Sequence, residues 1–118
     1  MDVREFQRWM TERYGERDRA RGLHPTFCWF VEEVGEVSQA LRKGTREDQE
    51  HEFADAFAWL VSVATLAGID VEDALVKHYG AGCPKCGRIP CACPSGTVPK
   101  DSKAHDPGSH PGGSAASL

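Results

Sequence analysis

Residues 30–41 read "FVEEVGEVSQAL" and residues 51–68 read "HEFADAFAWLVSVATLAG". These two stretches decide the fold. Each has helical apolar spacing, and each carries acids where a plain core helix would not. In the first, Phe27, Phe30, Val31, Val34 and Leu41 form one apolar stripe, at about 100° per residue. Glu33 and Glu36 fall on a different face, with Trp29 and Ala40; Glu32 points further round. In the second, Glu52 and Asp55 share a face with Trp59 and Ser62. From Phe53 onward that helix is apolar nearly all round, which predicts burial on several sides. A buried Asp55 then needs a cation, a donor or a proton.

Around these stretches the sequence predicts further helices and no strand before residue 80. Val3, Phe6, Met10 and Tyr14 have helical spacing, with Trp9 beside them. "GERDRARG", residues 15–22, reads as a charged connector bounded by glycines. "HPTFCWF" restarts a helix with Pro25 in its first turn, and Gly44 stops it after two basic residues. Thr45 is a capping candidate for the third helix, which ends at Gly68. Asp70 caps a short fourth helix carrying Val71, Ala74, Leu75 and His78. An antiparallel pair joined at Gly44–Thr45 would turn Glu33 and Glu36 toward Glu52 and Asp55. Four carboxylates so arranged repel one another unless a cation joins them. Oxygen ligands alone suit Mg²⁺ or Mn²⁺. A single E-x-x-E is most often a solvated helix face; E-x-x-E followed by E-x-x-D, with matched tryptophans, leaves metal binding and a solvated face both open.

At 118 residues the chain predicts one small domain whose thin core gains from self-association. A net charge of −4 argues against a nucleic-acid polymer as partner. "DVREFQRWM" after Met1 predicts no signal peptide, and the apolar run from Phe53 to Ala67 is too short for a membrane span, so a cytoplasmic protein is expected. Of five cysteines, four lie in "CPKCGRIPCAC", residues 83–93. Cys83, Cys86, Cys91 and Cys93 suit tetrahedral Zn²⁺, with an iron–sulfur site or no metal as alternatives. Cys28 reads as a small buried hydrophobe, and His24, His51 and His78 as capping or surface residues. From Pro94 the composition of Pro, Gly and Ser predicts a disordered tail. The expected organisation is thus an all-α domain over 1–80, a Cys-rich knuckle over 81–93 and a tail over 94–118.

"EEVGEVSQAL", "EFADAFAWL" and "KHY" resemble the MazG-like branch of the all-α nucleoside triphosphate pyrophosphohydrolases. The resemblance covers residues 24–80. It implies a four-helix protomer assembled into homodimers or homotetramers, holding Mg²⁺ and splitting a nucleoside triphosphate into monophosphate and pyrophosphate, as in nucleotide pool cleaning. Glu33, Glu36, Glu52 and Asp55 fall on the metal-ligand positions. Glu32 falls on the acidic position that holds or activates water. Lys77 and Tyr79 fall near positions that contact phosphate or nucleotide, and Trp9, Trp29 and Trp59 are candidates to stack on a base. An arginine-rich stretch that larger relatives carry after the fourth helix is replaced here by Gly80 and the cysteines. That leaves Arg42, Lys43, Lys77, Lys85 and Arg88 as candidate phosphate-binding cations. No P-loop, Ser nucleophile with a base partner, or Cys–His pair competes. The rival readings are a phosphoribosyl-ATP pyrophosphatase-like enzyme and a non-catalytic, zinc-stabilised oligomeric binding module.

Overall fold

A computed structural model describes residues 1–94. Helix α1 spans Val3–Arg21, α2 Leu23–Lys43, α3 Arg46–Leu66 and α4 Val71–Tyr79. There is no strand among the described residues, so the all-α class expected from the sequence is the one found. No single described helix is long and apolar enough to cross a membrane. The backbone divides into two compact units, Met1–Ala74 and Leu75–Leu118, with the division inside α4. All of the expected tail except Pro94 lies outside the described residues.

In the first unit, α1 and α3 both start on a reciprocal side-chain cap. At α1, Glu5 N–H donates to Asp2 Oδ1 at 2.8 Å and Asp2 N–H to Glu5 Oε1 at 3.0 Å, a reciprocal cap. Thr45 and Asp48 repeat the device at α3, at 2.9 and 3.1 Å. Between them, a Cβ on Gly44 would lie 2.9 Å from the Ala40 carbonyl, so the tight α2–α3 connection requires glycine there. Gln49 donates its side-chain amide to the same Ala40 carbonyl at 3.2 Å, fastening the two helices beside the loop.

The charged stretch 15–22 is not a connector. Helix α1 runs through Gly15 and ends only at Gly22, whose φ of 94° breaks the helix. One internal glycine costs a helix only about 1 kcal/mol, and here tertiary contacts offset it. Gly15 and Asp18 are buried, and Asp18 pairs with Arg21 at 2.9 Å. Arg21 also donates to the hydroxyl of fully buried Thr26 at 3.2 Å, which ties α1 to α2.

Packing inverts the simple amphipathic expectation. The α2 face with Trp29 and Ala40 turns toward α3. Trp29 and Trp59 stack with ring centroids 6.1 Å apart and planes at 24°, and Ala40 is buried. Phe27, Val31, Val34 and Leu41 point outward, and Leu41 is 56% exposed. Burial of α3 on several sides is not reached inside one chain: Val61 is fully buried, but Phe53 is 54% exposed.

Polar ties hold the far end of α1. Gln7 is buried; its amide donates to Thr65 Oγ1 and the Ile69 carbonyl, both at 2.9 Å, and accepts from Val71 N–H at 2.9 Å. Arg4 reaches Asp70 and Asp73 at 3.0 Å and Glu72 at 3.3 Å. Asp70 caps α4 as expected, accepting from Asp73 N–H at 2.8 Å.

The described part of the second unit follows α4 with a set of turns. Gly87 N–H donates to the Cys83 carbonyl at 2.7 Å, and Cys83 N–H to the Arg88 carbonyl at 3.2 Å. This is the C-terminal knuckle that the cysteine spacing predicts.

Candidate functional site

Helix α2 carries Glu33 half-buried, with Glu32 and Glu36 exposed; α3 carries Glu52 and Asp55, both half-buried. The two sets are felt together at Glu33. Its carboxyl is raised above the ordinary 4.5, first by burial and then by repulsion from Asp55, Glu52, Glu36 and Glu32. Glu36 and Glu52 also line one shallow cavity of about 240 Å³, together with Lys43 and Asp48.

At closer range the grouping differs from the tetrad expected from spacing. Ligand atoms of His51, Glu52 and Asp55 lie within 4.8 Å of one another, whereas Glu33 and Glu36 are outside that group. His51 Nε2 is 3.2 Å from Asp55 Oδ2, one helical turn along. His51 is therefore a close neighbour of Asp55 on the same helix, and the Asp55 side chain, 43% exposed, also reaches solvent. Sequence reasoning placed His51 among capping or surface residues; it is exposed, but the i, i+4 spacing to Asp55 is the signal that links the two.

On its other side, Asp55 lines a cavity of about 390 Å³ with Met10, Tyr14, Arg17, Arg21 and Trp59. Arg21 stands 5.1 Å from the Trp59 ring centre. Arg17 is exposed and enters no ion pair among the described residues. Neither arginine was among the expected phosphate-binding cations. Met10, Tyr14, Arg17 and Arg21 follow helical spacing, and reading 15–22 as a connector hid that face. The tryptophans are also sorted. Trp59 lines the cavity and Trp29 stacks behind it, whereas Trp9 packs on Phe6 and under Arg13, 3.7 Å from its ring centre. Lys77 and Tyr79 are exposed on the end of α4, in the second unit.

Residues 22–84 match the family model for the MazG nucleotide pyrophosphohydrolase domain, more than half of the chain. The chain belongs to the MazG family. A comparison with curated proteins gives no match. The MazG match takes in both acidic pairs and α4 and reaches Cys83; α1, with Arg17 and Arg21, precedes it. Membership brings the general chemistry of a metal-dependent nucleotide pyrophosphohydrolase. The residues on α2 and α3 fit that requirement, because Glu33, Glu36, Glu52 and Asp55 offer only hard oxygen donors.

Proposed function

We propose that this MazG protein hydrolyses nucleoside triphosphates to the monophosphate and pyrophosphate. The observation that carries the reading is the placement, within the MazG match, of half-buried Glu33 and exposed Glu36 on α2 beside half-buried Glu52 and Asp55 on α3, near enough to raise the Glu33 carboxyl. Glu33, Glu36, Glu52 and Asp55 would hold Mg²⁺, or Mn²⁺ in its place. When bound, the divalent ion neutralises phosphate oxygens that this acidic protein would otherwise repel.

The chain's own residues have the following parts. Glu32, next to Glu33 and open to solvent, holds the attacking water and accepts its proton at a carboxylate oxygen, with Glu33 completing the pair. The water oxygen bonds to the α-phosphorus, the α–β bridge breaks, and pyrophosphate leaves with the bond's electron pair. Arg17 and Arg21 meet the anionic substrate at the cavity edge, and Trp59, backed by Trp29, offers a surface for the base. The family resemblance adds Lys77 and Tyr79 as contacts to phosphate or nucleotide. The half-exposed Phe27, Val31, Val34, Leu41, Phe53 and Phe57 support a homodimer or homotetramer, because apolar surface on this scale favours burial against a second copy. A cytoplasmic setting, where triphosphates and Mg²⁺ occur together, belongs to the same proposal.

The test is incubation with Mg²⁺ and a panel of standard and modified triphosphates, with pyrophosphate and orthophosphate measured separately. Pyrophosphate plus monophosphate, lost in Glu36→Gln, is the expected result. Orthophosphate release, or full turnover in the variant, overturns the reading. Turnover of phosphoribosyl-ATP alone would replace the substrate.

A further inference from the structure

We propose that Cys83, Cys86, Cys91 and Cys93 bind one Zn²⁺ in a closed, all-thiolate site that holds residues 83–93 together and takes no part in hydrolysis. The four sulfurs lie within 4.8 Å of one another. The close pairs are nested: Cys83 with Cys93 at 3.7 Å, and Cys86 with Cys91 at 4.0 Å. A ZnS₄ tetrahedron with bonds of about 2.3 Å has edges of about 3.8 Å, which matches both pairs. These separations are far beyond the roughly 2.05 Å of a disulfide. With all four sulfurs within 4.8 Å of one another, the two pairs are too close to be divided between the irons of a sulfide-bridged cluster, so the geometry selects one ion.

The surrounding backbone is built for thiolates. N–H groups of Lys85, Ala92 and Cys93 point at Cys83, Cys86 and Cys91 sulfurs at 3.4, 3.2 and 3.2 Å. Such donors orient the ligands and spread their charge. Four thiolates on a divalent ion leave two negative charges, and Lys85 and Arg88 lie in the same loop. Glycines make the turn feasible: Gly87 has φ 73°, and a Cβ on Gly82 would lie 2.8 Å from the Gly87 carbonyl.

An independent argument comes from burial. No residue from 80 to 94 is buried, and Ile89 is 82% exposed. A run of defined turns with no apolar core needs another source of cohesion, and a structural metal supplies it. Four protein ligands leave no open coordination position, so the site is structural and not catalytic.

The experiment measures metal in the purified full chain by mass spectrometry and replaces it with Co²⁺, reading the visible spectrum. One Zn²⁺ per chain and the intense bands of tetrahedral cobalt–thiolate are expected. Zinc should be lost in Cys86→Ser and kept in Cys28→Ser, with helix content by circular dichroism unchanged in both. No zinc together with no cobalt–thiolate bands overturns the proposal, as does iron in place of zinc. Full zinc in Cys86→Ser overturns the ligand set. The wild-type cobalt spectrum decides even if Cys86→Ser does not fold, and none of these readouts depends on turnover.

Discussion

The acids of α2 and α3 and the thiols of residues 83–93 are the two ligand sets proposed above, and they stand on opposite foundations. The acids project from two long helices of 21 residues each, packed against one another. Their mutual repulsion, seen at Glu33, is tolerated because the hairpin is held by Ala40, the Trp29–Trp59 stack and the Gln49 bond. The thiols sit on turns without a core, and their sulfurs already lie at tetrahedral distances. On the proposed reading, a cation among the acids would relieve repulsion on helices that are held by their own contacts. A cation among the thiols replaces the core itself. Ligand sets on rigid elements leave room for a substrate, whereas ligand sets that form the fold are used up by it.

That contrast can be broken at several points. Asp55→Asn should lower kcat/KM on the order of 10²–10³-fold while far-UV circular dichroism and zinc content stay constant. Loss of helix along with activity would show that the acids are structural after all. Val61→Ala removes fully buried methyl groups and should cost about 2 kcal/mol in urea unfolding. If cysteine-bound metal is lost in step with that destabilisation, the two units do not hold themselves up separately. Arg17→Ala should raise KM about tenfold, or about 1.4 kcal/mol, with kcat nearly unchanged. An unaltered KM would remove the 390 Å³ cavity from the substrate's path.

The smallest effect has the most specific sign. Glu33 has a folded-state value raised above 4.5, so it contributes stability below that pH and loses it as pH rises through the raised value. In metal-free protein at pH 7, Glu33→Gln should therefore be the more stable form by about a few tenths of a kcal/mol, discounted for solvent screening. The difference should vanish below pH 4.5, where wild type is protonated too. A less stable variant at pH 7 would mean that Glu33 is held by a donor and not repelled by its neighbours.

Much of the architecture is local and so was legible. Thr45 and Asp70 cap helices as read, because a side-chain oxygen three residues before an N–H is a matter of spacing. Gly44 and Gly68 end helices for reasons equally local. The Cys spacing foretold the knuckle, and the two acidic motifs foretold the family. By itself the sequence determined four helices, the acids that share a helix face, and a separate thiol-rich end.

Tertiary structure decided what those faces meet. The stretch 15–22 is polar and begins with glycine, so local propensity suggested a break; buried Asp18 and Thr26, joined through Arg21, make it helix. With that helix came Arg17 and Arg21, which no motif announced. Only packing chose Trp59 over Trp9 and left the α2 apolar stripe outward. Periodicity states that residues share a face, but the face that pairs is chosen by the sum of contacts across helices. Those contacts join residues tens of positions apart, and no local window contains them.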